Sequence, residues 1–175
     1  MKQLFYLLIF VAVITSCRNK KLETVSEADS VAVDILAQAP ATQLAFSSLE
    51  NYLLKNTAQL PDSINFMIIG SQSEFDNLFG AAKTATNEIN APDFIINHTI
   101  AIATLPTNIK TTIEIEKVEL GESTINVFAK ITKGEKESAI SIPAKVFAVE
   151  RREGVTGMDF YLDNKMVKSL MLPSF

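Results

Sequence analysis

The sequence has very few of the residues on which disulfides, metal sites and nucleophilic catalysis depend. It contains one Cys, one His and no Trp among 175 residues. A single Cys excludes an intrachain disulfide framework and any zinc or iron–sulfur centre that draws several thiolates from this chain. A single His excludes the His-Glu-x-x-His zinc helix and every other site that needs two imidazoles. We therefore expect no metal and no organic cofactor.

Positive charge is also in the minority. Sixteen Lys and Arg residues stand against 20 Asp and Glu residues, which gives a formal net charge of −4 at pH 7. Proteins that bind nucleic acid neutralise phosphates with clustered Lys and Arg, and no such stripe is present. The composition therefore predicts that nucleic acid is not a partner. With 47% hydrophobic residues, a chain of this length can bury one core of its own.

The longest apolar run of the chain lies at its N-terminus. Lys2 precedes the run Leu4–Ile14, and Thr15, Ser16 and Cys17 follow it. A positive residue, an apolar stretch of roughly 7–15 residues and small residues before a cleavage site form a secretory signal. The run is too short to cross a bilayer, which needs about 20 residues. The tetrapeptide that ends in Cys17 resembles a bacterial lipobox of the Bacteroidota type, although Ile and Thr-Ser replace the common Leu and Ala-Gly.

This resemblance implies that Cys17 is the lipidated first residue of the mature protein. Two or more acyl chains would anchor it stably in the bacterial cell envelope. No Asp follows Cys17 directly, so the outer membrane is favoured over the inner membrane. The alternative is an ordinary secreted protein in which Cys17 is incidental. We predict a signal peptide at 1–16, a lipidated Cys and flexible tether at 17–42, and a single domain at 43–175.

The domain is predicted to be α+β. Its clearest helix begins at Ser71, because Ser71 and Glu74 fit a capping box. Apolar residues then recur on one helical face at Phe75, Leu78, Phe79 and Ala82. Residues 44–56 are compatible with either a helix or a strand.

The second half of the domain has the alternation of half-buried strands, clearest from Ile125 to Ile131. Lys133-Gly134-Glu135-Lys136 is predicted to be a hairpin tip. The stretch 138–151 is predicted to be one strand with Pro143 at a bulge or an edge. A last hairpin turns at Asp163-Asn164. Turn signals at roughly 8–12-residue spacing indicate a mostly antiparallel sheet, sandwich or small barrel with one packed helix.

The block from Phe66 to Val149 resembles the PrcB C-terminal-domain family, small bacterial envelope proteins named for a protease-complex subunit. The residues that carry the resemblance are the helix start at 71–79, Pro92-Asp93-Phe94 before the strand 100–103, and the final strand 142–149 with its Pro. The chain departs from the family at 106–110, where a Gly-Gly-Tyr-type turn is usual. The resemblance implies a non-catalytic accessory or interaction domain.

The sequence contains few sets of residues that could form a catalytic site. Any Ser–His–Asp unit would have to use His98, which stands where a strand is predicted to begin. Two carboxylate pairs are available, Glu114 with Glu116 and Asp159 with Asp163, and two acids suffice for glycosidic cleavage. Both pairs have the context of a solvated strand face or a turn. We therefore predict no catalytic residues and no enzyme activity.

Three further residues are candidates for function. The tripeptides Asp29-Ser30-Val31 and Asp62-Ser63-Ile64 resemble acceptors of O-glycosylation in Bacteroidota envelope proteins, so Ser30 and Ser63 are candidate modification sites. Phe128 falls on the polar side of its strand. It is either covered by another element or available to a partner.

These observations favour a non-catalytic envelope lipoprotein that acts as a protein-interaction or accessory module, with a protease-associated or inhibitor-like role as one form of it. Exposed sheet edges would bind the partner by strand addition. One alternative is a small-ligand-binding lipoprotein with a cavity between helix and sheet. A hydrolase is the third alternative.

The lipid anchor can be tested with Cys17→Ala in a native-like bacterial host. We expect an acylated mature mass and membrane partitioning for the parent chain, and loss of both for the variant, because Cys17 would carry the acyl chains. Intact-mass spectrometry and membrane fractionation measure these properties. Two soluble, unmodified forms would contradict the envelope assignment.

Overall fold

The computed structural model describes residues 41–173, which form eleven β-strands and one α-helix. The predicted signal segment, Cys17 and Ser30 lie outside the described residues. The elements are β1 Thr42–Leu44, β2 Phe46–Ser48, β3 Tyr52–Leu54, β4 Ile64–Ile69, α1 Gln72–Leu78, β5 Phe79–Ala81, β6 Asn97–Thr104, β7 Thr107–Leu120, β8 Thr124–Ser141, β9 Ala144–Glu150, β10 Gly157–Leu162 and β11 Lys165–Met171.

The strands form two large sheets and one small pair. The five-stranded sheet has the order β1-β7-β8-β10-β11, the four-stranded sheet has the order β2-β9-β6-β4, and β3 pairs with β5. Every pairing is antiparallel except that of β8 with β10, which is parallel. The predicted α+β class, with mostly antiparallel strands and one helix, is confirmed. Of the architectures left open, the sandwich is the one that forms, since neither sheet closes into a barrel.

The main core lies between the two large sheets. In β6, Ile100 and Ile102 face the five-stranded sheet, and in β9 Phe147 and Val149 do the same. They meet side chains from every strand of the opposite sheet, including Ile113, Ile115, Val118, Ile125, Val127, Met158 and Phe160. The inward direction that the alternation from Ile125 to Ile131 predicts is therefore confirmed for Ile125 and Val127. Burial of these side chains is the main driving force for the sandwich.

A second core covers the other face of the four-stranded sheet. The alternate residues of β6 on this face are Ala101 and Ala103, whose small size lets α1 and the β3–β5 pair approach closely. The aromatic rings of Phe75 and Phe79 fill this layer and stack 5.2 Å apart. The four-stranded sheet is thus apolar on both faces.

The helix begins where the capping box predicts but is shorter than its apolar period. Ser71 Oγ accepts from the Glu74 backbone N–H at 3.2 Å, and the Glu74 carboxylate accepts from the Gly70 N–H. The chain leaves the helix after Leu78, and Phe79 opens β5 in an extended conformation. The predicted helical face therefore ends before Ala82, because pairing with β3 takes the backbone hydrogen bonds that another turn would need.

The predicted hairpin tip at 133–136 is wrong. Strand β8 runs without a break from Thr124 to Ser141, because β7 is long enough to pair with it over the whole stretch. Pro143 lies in the connection between β8 and β9, so the stretch 138–151 is not one strand. Pro lacks an N–H for the ladder, and its carbonyl accepts from the Thr104 N–H at 3.0 Å.

The ambiguous stretch 44–56 is extended. It holds Leu44, the last residue of β1, together with all of β2 and β3, and each of these short strands joins a different sheet. Strand β1 begins at Thr42, the last residue assigned to the tether. The final hairpin turns at Asp163 and Asn164 as predicted, and both have positive φ, 50° and 62°, as a two-residue turn of this hand requires.

Two Phe residues test the assignment of inner and outer faces. We expect Phe147→Ala, in the main core, to lower the free energy of unfolding by about 3–5 kcal/mol. Phe128→Ala, on the outer face of the five-stranded sheet, should cost clearly less, since its ring is only half-buried. Urea denaturation of both variants measures the difference. Equal losses would contradict this assignment.

Candidate functional site

His98 is a buried structural residue at the start of β6. Its side chain is 5% exposed. Burial, and then the positive charge of Arg151, lower the pKa of His98 to about 4, so the imidazole is neutral at pH 7. Arg151 is itself held by the loop before β6, donating to the carbonyls of Asn97 at 3.2 Å and Phe94 at 2.9 Å.

The surroundings of His98 do not form a hydrolytic triad. It borders a cleft of about 270 Å³ that also contains Arg151, Arg152, Glu153, Val155, Leu172 and Pro173. This lining holds no hydroxyl or thiol nucleophile, and the guanidinium group of Arg151 opposes protonation of the imidazole. The geometry gives His98 a packing role beside Arg151.

The two carboxylate pairs lie on the five-stranded sheet and its last turn. Glu114 is exposed opposite Lys130, and Glu116 is the extra residue at an irregularity in the β7–β8 register. Asp159 lies between Asn126 and Ser169 in neighbouring strands, and Asp163 is in the exposed turn. Because Glu116 lies in the bulge, it does not follow Glu114 in the regular alternation of the strand.

Within residues 41–173, no group of three or more His, Cys, Asp or Glu side chains is placed to hold a metal ion. In the same part of the chain, no helix is long and apolar enough to span a membrane.

Phe128 belongs to a row of side chains that crosses the outer face of the five-stranded sheet. Lys117, Phe128, Tyr161 and Met166 are successive cross-strand neighbours on β7, β8, β10 and β11. The Phe128 and Tyr161 rings stack at 4.6 Å, and Lys117 Nζ lies 4.2 Å from the Phe128 ring centre. Neighbours on its own sheet thus cover part of Phe128, which explains an aromatic residue on a polar face.

The edge strand β11 is the most exposed apolar element of the sandwich. Among the described strands it pairs with β10 alone, so within residues 41–173 no strand pairs with the backbone N–H and C=O groups of its other edge. Met166 is 55% exposed, Val167 43% and Met171 77%. Beside Met171, a groove of about 530 Å³ runs towards β4 and the start of α1. The exposure of this edge was not predicted, because the sequence does not say which strand ends a sheet.

A lysine on β11 limits uncontrolled pairing at this edge. Lys168 is the cross-strand neighbour of the buried Phe160, so it lies on the core-facing side of the strand. Its ammonium group is 3.9 Å from the Asp62 carboxylate near the start of β4. A charge on the inner side of an edge strand is a common device against non-specific strand addition.

An open cleft of about 370 Å³ lies at one end of the sandwich. Its walls come from the start of β4, the end of β6 and the facing parts of β7 and β8. The lining residues are Ser63, Ile64, Thr104, Leu105, Pro106, Thr107, Ile109, Thr111, Ile131 and Lys133. Ser63, the candidate glycosylation site, is exposed at its rim, and its carbonyl accepts from the Leu105 N–H at 3.4 Å. The space between helix and sheet, where a ligand cavity was the alternative, is filled by the second core.

Comparison with known proteins gives no relative. No family model, no curated protein and no solved structure matches this chain.

The low pKa of His98 predicts acid sensitivity. Its folded-state pKa of about 4 lies below the ordinary value of 6.5, so its contribution to stability is present above pH 6.5 and is lost as the pH falls towards 4. Between pH 7.5 and pH 5 this loss amounts to about 2 kcal/mol. In His98→Gln that part of the pH dependence should vanish, as measured by urea denaturation at both pH values.

Glu50 is a second group with a shifted pKa, but it acts at lower pH. Its hydrogen bond to Lys145 lowers its pKa below 4.5, so its effect appears mainly below pH 5. An unchanged pH dependence in His98→Gln would contradict the burial of a neutral imidazole.

Proposed function

We propose that this chain is a lipid-anchored accessory protein of the bacterial envelope that binds another envelope protein and catalyses no reaction. The N-terminal pattern that ends in Cys17 supports the anchor. The resemblance of Phe66–Val149 to the PrcB C-terminal-domain family supports an accessory role and favours a protease complex as the partner. The outer membrane is the proposed location, since no Asp follows Cys17.

The observation that carries the interaction role is the free edge of β11. An extended segment of a partner can add to such an edge, with main-chain hydrogen bonds giving affinity and alternate side chains giving specificity. The exposed apolar side chains of Met166, Val167 and Met171 would give the added strand apolar surface to bury.

The charge of the edge defines the partner segment more closely. Lys165 and Lys168 lie on β11, and the strand has no acidic residue. A second copy in antiparallel register about Lys168 would oppose two lysines, which is unfavourable. An extended partner segment that alternates apolar and acidic residues would complement both the exposed apolar side chains and the positive charge of this edge.

A site-specific photocrosslinker tests this interface. We expect a benzoylphenylalanine at Met171, in the full chain in its native-like host, to form an adduct with one envelope protein. Adding Val167→Asp should reduce the yield about tenfold or more, because an aspartate at the edge removes apolar contact and repels an acidic partner. Blotting and mass spectrometry of the adduct measure yield and identity.

The matched control is the same crosslinker at Lys130, which is exposed on β8 away from the β11 edge. Adducts of equal yield from both positions would indicate non-specific contact. No adduct from any exposed position, including the apolar loop residue Ile95, would contradict the interaction role itself.

A further inference from the structure

The open cleft at the end of the sandwich combines an aliphatic floor with cations on the same face. Ile64 and Ile131 are partly buried members of the main core, and Ile109 and Leu105 extend this surface outwards to the opening. Such a cleft lies within the size range of small-molecule sites, roughly 300–1,000 Å³. An aliphatic chain that enters here would contact the end of the core directly.

The facing parts of β7 and β8 form a two-stranded arm, residues 107–112 and 132–141, whose β8 segment is exposed along its whole length. Its inner face continues the core side of the sandwich. Along this face Ile113 is opposite Ile131, and Thr111 is opposite Lys133. On the core side of β8, the next side chain after Ile131 is therefore that of Lys133.

A bulge in the arm places a second lysine on this face. Ile109 is opposite Lys136, whereas regular pairing beyond Thr111 and Lys133 would put Glu135 there. The register shift between Ile109 and Thr111 thus puts an ammonium group, instead of a carboxylate, opposite Ile109, which lines the cleft. Bulges that re-aim side chains in this way are recurrent features near functional sites.

Neither lysine forms an ion pair within the described residues. Among residues 41–173 the ion pairs involve Lys117, Lys145, Lys168 and Arg152, and both Lys133 and Lys136 are exposed without a carboxylate partner. Long lysine stems also extend apolar surface while the ammonium group stays in water. The inner face of the arm therefore combines aliphatic side chains near the core with ammonium groups, outside any ion pair, towards the solvent.

We propose that this cleft binds a single-chain fatty carboxylate. The alkyl chain would lie among Ile64, Leu105, Ile109 and Ile131, and the carboxylate would pair with Lys133 and Lys136 at the opening. The Thr111 hydroxyl donates to the Ile109 carbonyl at 2.9 Å, whereas the Thr107 hydroxyl only accepts from the Ile109 N–H at 3.0 Å and keeps its own proton for a carboxylate beside the lysines. This proposal is independent of the partner edge at β11.

Photolabelling locates the bound ligand in the full chain. We expect decanoate with a diazirine near its methyl end to label the segments that contain Ile64, Leu105, Ile109 and Ile131, mapped by peptide mass spectrometry. Unlabelled decanoate should compete, and decyltrimethylammonium should not, because its charge is repelled by the two lysines.

Three variants distinguish the effect of the two lysine charges, the effect of the aliphatic contacts and the effect of a charge change elsewhere on the sheet. The double variant Lys133→Glu with Lys136→Glu should reduce labelling of these segments about tenfold, as two attractions become repulsions. Ile109→Ala should weaken labelling severalfold without any change of charge. Lys130→Glu, on the outer face opposite Glu114, should leave it unchanged. All four substituted side chains are exposed or half-buried, and a thermal melt checks that each variant is folded.

Three results would overturn the proposal. The first is equal labelling in the parent and the double variant, and the second is labelling confined to the first 40 residues. The third is labelling of the cleft only by a diazirine-bearing phospholipid in anionic vesicles, which would make the occupant a bilayer lipid instead of a free fatty carboxylate.

Discussion

Burial of the four-stranded sheet on both faces is the constraint on which the rest of the domain depends. In β6, four consecutive residues from Ile100 to Ala103 are wholly inaccessible, with isoleucines on one face and alanines on the other. The isoleucines need a second sheet to cover them, and the alanines need a layer that can approach closely. The long β7–β8 pair meets the first need, and α1 with the β3–β5 pair meets the second.

Burial of the sheet faces does not protect the edge strands of the sandwich, which need other features to prevent non-specific strand pairing. Strand β1 pairs with only one end of β7, and in the part of the chain that the structure describes β11 is the last strand of the five-stranded sheet. The inward-facing Lys168 limits indiscriminate pairing there, while Met166, Val167 and Met171 still offer apolar surface. This balance between protection and exposure is what a regulated strand-addition site requires, and it is the physical basis of the proposed interaction role.

Irregularities in the β7–β8 ladder decide which charged groups face which side of the sandwich. One shift makes Glu116 an extra residue before Lys117, which then lies over the Phe128 ring. Another pairs Lys136, instead of Glu135, with Ile109, which lines the cleft. Because the side-chain period of a strand is two, a single inserted residue reverses the face of everything beyond it. Simple alternation therefore fails for the arm, although it holds from Ile125 to Ile131.

Several structural features could be predicted from residues that lie close together in the sequence. The sequence by itself determined the cap at Ser71, the turn at Asp163-Asn164, the inward residues of β8 and the α+β class, because each depends on residues close together in the chain. Only the tertiary structure decided that 44–56 divides among three sheets, that 133–136 stays in a strand, that β10 runs parallel to β8, and that β11 is an edge. Those outcomes depend on which distant strand supplies the hydrogen-bond partners, and a strand's own residues do not encode its neighbour.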